Sequence, residues 1–433
     1  MAKTKPKPYK QVEKIEVYLW GNLVGMAALD PSLGYYAFAY DKSFTKNGIE
    51  IAPLHMPLND DVYIFTDLPT ATYKRLPAAL ADALPDDFGN ALINRYLADN
   101  GIAQDQITPL DRLAYMGNRA MGALEFKPAH GPKNSKPSAI EMNSLVLEAR
   151  KAVKGNITHD YHTDAALRSI IEVGTSAGGA RAKAVIAWNS KTHAIQSGQV
   201  DAEAGFEHWL LKFDGIGRDR ELGMSEHYGR IEYAYYLMAT AAGIDMSESQ
   251  LLEENGRAHF MTKRFDREGQ HEKHHIQTLC AMNHLDYKKK STNSYEQLFL
   301  TLNQLNLSHQ AYAQAFKRML FNVMSRNCDD HTKNISFLLK KGGEWELAPA
   351  YDITFAHNPQ SEWTNQHLMA INGKFKNITI DDIMKIANQF DIASAKKIID
   401  EVRDAIQRWP TFAKKARLSK EEIKRIQSLL ILL

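Results

Sequence analysis

Residues 321–352 read FNVMSRNCDDHTKNISFLLKKGGEWELAPAYD. Ionisable and polar side chains crowd the middle of this stretch, between the apolar FNVM and ISFLL. Such density implies a short loop held between two buried elements, where a plain turn rarely needs so many ionisable groups. Asp329 and Asn334 stand as D-x-x-x-x-N, and Asp352 follows at the end of a strand–turn–strand pattern. Phosphoryl transfer from ATP calls for such a trio. One carboxylate orients the acceptor hydroxyl, while an amide oxygen and a second carboxylate hold Mg2+ against the phosphates. Taken alone, D-x-x-x-x-N says little, because about one is expected by chance in a chain this long. Asp352 is not part of a D-F-G, so a conventional eukaryotic-type kinase is excluded.

Moving outward, 433 residues give room for two or three domains and a sizeable core. A hydrophobic content of 44% and a charged content of 24% are those of an ordinary globular protein. The net charge of +2 creates no global field for nucleic acid or membrane. Lys3, Lys5, Lys7 and Lys10 lie among prolines in a tail that reads as a disordered arm. No apolar segment suited to a signal peptide follows them, and no apolar run approaches the ~18 residues that span a bilayer. Cys280 and Cys328 lack ligand spacing, so a reducing cytoplasm is expected.

Residues 16–29 alternate as strands around a turn at Gly21 and Asn22, and residues 35–40 form another strand. Helical spacing covers 80–97, broken near Pro85 and Gly89, and 109–126 gives a short helix closed by Gly117-Asn118 and Gly122. Residues 127–138, KPAHGPKNSKPS, read as a linker. Strands are predicted at 170–173, 184–188, 208–213 and 260–265, with a helix over 226–243 that turns Ile231, Ala234, Tyr235, Met238 and Ala242 to one face. Beyond them the chain is mostly helical, most clearly over 295–305, 310–327, 378–389 and 393–409. His271, His274 and His275 form H-x-x-H-H in a polar stretch that reads as a surface loop, not a metal site.

Gly174, Gly178 and Gly179 make a glycine loop, in which main-chain N–H groups can converge on phosphate without interference from Cβ atoms. It is not a Walker A loop, and a flexible inter-strand turn is the alternative reading. Arg181 and Lys183 follow it. Lys212 ends an apolar strand and is placed to meet nucleotide phosphates, with Glu232 or Glu226 as a helix-borne partner; exposed surface charge is the alternative. Asp329 is the candidate catalytic base, Lys333 the stabiliser of phosphoryl charge, and Asn334 and Asp352 the Mg2+ ligands.

Taken in order, these segments resemble the HipA family of bacterial serine/threonine kinases, the toxin half of HipA–HipB toxin–antitoxin pairs. VYLWGNLVG and MGNRAMGALEF are similar to its N-terminal subdomain, with DALPDDFGN between them, TSAGGARAK to its glycine-containing loop, RFDR at 264–267 to its interlobe strand, and NCDDHTKN to its catalytic loop N-x-D-x-H-x-K-N. Arg326 and Cys328, which flank Asn327, depart from the small or uncharged neighbours expected there. The resemblance implies an α+β, protein-kinase-like fold with a small β-rich lobe and a larger all-α lobe. The corresponding divisions are an N-terminal subdomain at 1–126, a linker at 127–138, an ATP-binding portion at 139–265 and a helical lobe at 266–433.

The same resemblance implies ATP contacts at Gly178, Gly179, Ala180, Lys183 and Lys212, adenine facing main-chain groups of Lys263 and Phe265, and Asp266 and His331 near the nucleotide. Ser176 corresponds to an autophosphorylated serine, with Thr175 as the neighbouring alternative. A phosphate there would add about −1.5 to −2 charges to a loop built for phosphates, and so inhibit. Implied partners are a protein substrate such as an aminoacyl-tRNA synthetase and a helix-turn-helix antitoxin that carries any DNA contact. A kinase of a small-molecule or lipid hydroxyl, and a catalytically silent antitoxin-binding corepressor, are the competing readings. Four intact residues, Asp329, Asn334, Asp352 and Lys212, count against silence.

Overall fold

Trp20 and Gly21 both take positive φ, 50° and 81°, in a computed structural model that describes residues 9–85, 87–99, 101–131, 183–198, 201–214, 227–254 and 256–433. Two consecutive left-handed residues make the turn whose twist matches a hairpin. It joins β1 (Lys14–Leu19) to β2 (Asn22–Asp30) one residue earlier than the sequence suggested, because Asn22 already pairs with Leu19. The Trp20 indole N–H donates to the Lys273 carbonyl at 2.6 Å, which anchors this turn to the far half of the chain.

With β3 (Tyr35–Tyr40), β4 (Val62–Tyr63) and β5 (Leu124–Lys127), these strands form a five-stranded sheet ordered β4-β3-β2-β1-β5. Alternation buries Ile15, Val17 and Leu19 on one face. The helix Pro109–Met116 packs there, its start fixed by a capping box between Thr108 and Asp111. The short helix read within 109–126 ends at Met116, against the Gly117 expected to close it. Gly117 turns the chain with φ 55°, and Leu124–Lys127 pairs with β1 instead.

A second sheet, ordered β7-β6-β8-β10-β9, contains β6 (Lys183–Trp188), β7 (Ile195–Ser197), β8 (Glu207–Lys212), β9 (Ser249–Glu254) and β10 (Arg257–Lys263). The helix Tyr228–Ala241 crosses it with Ile231, Ala234, Tyr235 and Met238 buried, as their spacing predicts. Gly229 allows the close approach, since a Cβ there would lie 2.0 Å from the Ala258 carbonyl oxygen. The glycine loop with Gly174, Thr175, Ser176, Gly178, Gly179 and Ala180, Arg181 beyond it, Lys3, Lys5 and Lys7 of the basic tail, most of the linker, the strand 170–173 and Glu226 fall outside the described residues.

Beyond a two-stranded hairpin, β11 (Arg267–Glu268) and β12 (Glu272–Lys273), the chain becomes mainly helical. Its centre is the helix His309–Ser325, all of whose last eight residues are buried. The helical lobe also carries a three-stranded sheet of β13 (His275–Thr278), β15 (Ser336–Leu339) and β16 (Trp345–Leu347), and a short parallel pair of β14 (Asn293–Ser294) and β17 (Met369–Ala370). The H-x-x-H-H motif is only partly a surface loop. His271 is exposed, but His274 and His275 are buried, and His275 Nε2 lies 2.9 Å from the Ile51 carbonyl oxygen. Burial depresses the His275 pKa to about 4, so it is neutral near pH 7. Among the described residues no cluster of His, Cys, Asp and Glu could hold a metal ion by its own spacing, and no helix is long and apolar enough to cross a membrane.

Candidate active site

The helix His309–Ser325 ends where Arg326 turns left-handed, with φ 61°. Asn327 then bridges to Ala356, and Cys328 N–H donates to the Ala356 carbonyl at 3.0 Å. From that anchorage the loop 328–331 leads into a 3-10 turn, Thr332–Asn334, and on into β15. Both ends of the loop are thus fixed by buried secondary structure, as the apolar flanks implied. Arg326, unexpected at this point in the sequence, donates from Nε to the Leu429 carbonyl at 3.1 Å and holds the C-terminal segment against the helix end.

Asp329 stands at the edge of the loop with its side chain 37% exposed. Its Oδ1 accepts the Trp363 indole N–H at 2.7 Å and lies 3.6 Å from His331 Nε2. Burial raises its pKa from the ordinary aspartate value, helped by Asp352 and Asp330 and opposed by His331 and Trp363. Asn334 donates its Nδ2 to the Asp329 carbonyl oxygen at 2.8 Å, which leaves its amide oxygen as the uncommitted end. Asp352, at φ 55°, closes on Lys212 across the lobes. Burial alone would raise the Asp352 pKa, but Lys212 and Lys183 hold it well below the ordinary carboxylate range.

Lys212 bonds Glu232 Oε1 at 2.5 Å and also contacts Asp352 Oδ1. The two carboxylates outweigh burial and raise its pKa, so it stays an ammonium ion. Lys183 pairs across the strands with Lys212 and is itself buried at 2% exposure. The structure therefore brings Lys183, Lys212, Glu232, Asp329, Asn334 and Asp352 to one place. A cavity of about 20 Å³ behind the loop is lined by Asn327, Asn334, Asp330 and Asp352, and holds no more than a water-sized species. Asn327 Oδ1 is buried there without a hydrogen-bond partner among the described residues. Amide and carboxylate oxygens of this kind suit a hard cation such as Mg2+. A nucleotide is far too large for this cavity.

Other predicted residues are differently engaged. Lys333 Nζ lies 3.7 Å from Asp82 Oδ1 and 5.4 Å from the Tyr287 ring centroid, so its charge is drawn toward the N-terminal sheet domain. Asp266 is fully buried and faces a joint rather than an open site. It accepts from Arg264 Nε at 2.9 Å, Arg267 Nη1 at 2.7 Å and Gly122 N–H at 2.7 Å. Although burial opposes ionisation, those two guanidinium groups hold its pKa far below the usual range. Lys263 N–H is taken by the Glu248 carbonyl at 2.8 Å, and the Phe265 ring lies 5.8 Å from that of Tyr351. His331 packs between Tyr287 and Trp363, and its Nδ1 is buried without a hydrogen-bond partner among the described residues.

Sequence reasoning passed over the support of the loop. Asp330 accepts from Tyr295 OH at 3.0 Å, His367 Nδ1 at 2.9 Å and Leu368 N–H at 2.8 Å, all while buried. Asn322 joins this network through Tyr295 at 2.9 Å and Asn327 at 2.9 Å. Adjacent carboxylates at 329 and 330 were visible, but nothing local says that one faces out and the next faces in.

Residues 15–127 match the family model of the HipA N-terminal domain, and residues 175–409 match that of the HipA-like C-terminal domain. A chain of the Shewanella oneidensis MR-1 toxin–antitoxin complex of HipA, HipB and operator DNA shares the fold at a TM-score of 0.67. That match covers 96% of this chain and 95% of the other at 17% identity. The Helicobacter pylori proinflammatory kinase CtkA matches 52% of this chain and 85% of its own at 13% identity, with a TM-score of 0.34 that is too low to bear on the fold. A Haemophilus influenzae protein named "Putative kinase" is 31% identical over 153 residues, which are 32% of this chain and 44% of that protein. The chain thus spans less than half the length of this curated relative. With the two domain models lying in order along the chain, and the second alone spanning 175–409, the protein belongs to the HipA family.

Proposed function

We propose that this protein is a Mg2+-ATP-dependent kinase that phosphorylates a serine or threonine hydroxyl of a protein and acts as the toxin of a toxin–antitoxin pair. The observation that carries the reading is Lys212. It contacts Glu232 on the helix beside its sheet and Asp352 on the other lobe, next to a loop that presents Asp329 and Asn334. Bound Mg2+-ATP supplies the phosphoryl group and the cation that neutralises its oxygens. Lys212, kept charged, would meet the phosphates, and Asn334 and Asp352 would offer oxygens to the metal. Asp329 orients the acceptor hydroxyl and takes its proton; partial burial gives it the raised proton affinity that suits this role. Lys183 adds positive charge beside Asp352.

Asp329→Ala should abolish transfer of labelled phosphate from ATP into lysate proteins, and its induction should leave growth unimpaired. If the variant were as toxic as wild type, the kinase account of toxicity would fail. The protein substrate belongs to the translation machinery in this proposal, with an aminoacyl-tRNA synthetase as the class to examine by phosphoproteomics. The partner is a small helix-turn-helix antitoxin of the HipB kind, a reading in keeping with the Shewanella complex of similar fold. Ser176 is the proposed autophosphorylation site, and phosphate there would repel ATP. Phosphate found on Ser176 in both wild type and Asp329→Ala would refute autophosphorylation, and phosphate on Thr175 would move the site by one residue.

A further inference from the structure

The segment that follows Asp352 folds back onto the catalytic loop and grips both of its aspartates. Trp363 donates its indole N–H to Asp329 Oδ1 at 2.7 Å. Four and five residues later, His367 Nδ1 and Leu368 N–H contact Asp330 at 2.9 and 2.8 Å. The Trp363 end of the grip is held in shape by its own short loop. Ser361 Oγ accepts the N–H groups of Trp363 and Thr364 at 3.0 and 3.1 Å, and Asn358 Oδ1 accepts that of Gln360 at 3.0 Å. Asn358 N–H closes the loop on the Thr364 carbonyl at 3.3 Å.

From this geometry we propose that Trp363 is a positioning residue for the phosphoryl-transfer reaction, fixing the Asp329 carboxylate through Oδ1 so that Oδ2 is presented to the acceptor hydroxyl. The inference rests on the kinase reading of Asp329. Oδ1 already holds the indole and has His331 Nε2 at 3.6 Å, whereas among the described residues no donor sits on Oδ2. Trp363 is only half-buried, so its N–H could be satisfied by water, and its use on a carboxylate spends a donor on a reacting group. A hydrogen bond of this kind restricts the carboxylate to one rotamer, and orientation of the attacking group is where much of phosphoryl-transfer catalysis lies. It also favours the charged form of Asp329 against the burial and the two acidic neighbours, Asp352 and Asp330, that disfavour it. Because the same segment carries Trp363 and seals Asp330, a substrate that displaces residues 357–366 would loosen the base directly.

The test uses the full chain and needs no protein substrate: Mg2+-ATP turnover to ADP from pH 5 to 9. Trp363→Phe keeps the ring and removes the donor, while Trp363→His restores a ring N–H at similar reach. Trp363→Phe is expected to lower kcat about tenfold or more with KM for ATP unchanged, and to move the acidic limb of the profile to higher pH. His331, Asp330, Asp352, Lys183 and Lys212, the other charged or titratable groups at the site, remain in Trp363→Phe, so its limb reports the missing N–H. Trp363→His adds a titrating imidazole and is compared by kcat at pH 8 to 9, where a free imidazole is neutral. Trp363→His should recover part of the kcat loss, which a loss of packing alone would not produce. Should Trp363→Phe fold poorly, Trp363→Leu, which also lacks the donor, is read by the same limb. An unmoved limb with kcat within about twofold of wild type, or a rise in kcat that marks Trp363 as a plug, would overturn the proposal. Asp329→Asn separates the two levels: if it turns over ATP like wild type, the kinase reading itself falls, whatever Trp363 does.

Discussion

Lys212 and Asp352 lie 140 residues apart in the chain and form an ion pair across the two lobes, with Glu232 on the same ammonium group. Each group shifts the other toward its charged form, Lys212 upward and Asp352 downward, against the cost of burial. Lys212→Met should therefore leave Asp352 and Glu232 as crowded carboxylates with Lys183 as the remaining nearby ammonium group. Turnover of ATP is expected to fall about 100-fold or more. The Asp352 pKa should rise toward the ordinary carboxylate value. Steady-state kinetics, with acid unfolding compared between variant and wild type, checks both. In wild type the stability from the depressed Asp352 is present above its unfolded pKa and is lost only as pH falls well below that value.

Gly229 decides where Glu232 stands. It opens the helix Tyr228–Ala241 against β10, where a Cβ would meet the Ala258 carbonyl oxygen at 2.0 Å and the Phe260 nitrogen at 3.1 Å. Backbone cannot rotate away as a side chain can, so Gly229→Ala must shift the helix outward. Glu232, one turn on, moves with it. The expected cost is about 1–3 kcal/mol in unfolding free energy. Weaker Lys212–Glu232 contact should also raise KM for ATP. Urea unfolding and ATP kinetics read the two effects separately.

His367 links the loop to pH. It is buried against Asp330, and although burial opposes the charge, that carboxylate raises the imidazole pKa to about 10. A folded-state pKa above the unfolded value of about 6.5 contributes stability that is full below pH 6.5 and lost as pH rises through about 10. His367→Gln should be about 3–5 kcal/mol less stable near pH 6, because Asp330 is left buried without its counter-charge. The gap should narrow toward pH 10, as seen in denaturation midpoints measured across that range. A gap that stays constant with pH would show that the imidazole is not charged in the folded protein.

Asp266 is predicted to be a structural joint and not a nucleotide contact. It ties Arg264 and Arg267 to Gly122 of the N-terminal domain, and Arg267 also donates to the Gly122 carbonyl at 3.0 Å. Asp266→Asn leaves two buried guanidinium groups without their carboxylate, a loss of about 3–5 kcal/mol. Thermal unfolding should shift down clearly, while KM for ATP in the still-folded protein stays within about twofold of wild type. A large KM change with little loss of stability would return Asp266 to the nucleotide.

The amino-acid sequence by itself determined a polar loop at 328–334 between two buried elements, the inward faces of the main helices and, through a resemblance, the family. The loop and the helix faces depend on local spacing: a polar cluster between apolar runs and apolar periodicity can be read from neighbours a few residues apart. Local spacing misplaced other features. The first turn lies at Trp20 and Gly21 because backbone sign, not the familiar Gly-Asn pair, sets a hairpin. His274 and His275 look like surface residues beside Glu272 and Lys273, yet His275 is buried where β13 pairs with β15, and His274 is buried beside it with its N–H on the Asp266 carbonyl. Only the tertiary structure decided which of the adjacent aspartates faces the cleft, that Asp266 closes a joint, that Lys333 leans to Asp82, and that Trp363, 34 residues from Asp329, holds its carboxylate. These outcomes are set by burial and by charge pairing between segments remote in sequence, and such partners exist only once the lobes have packed.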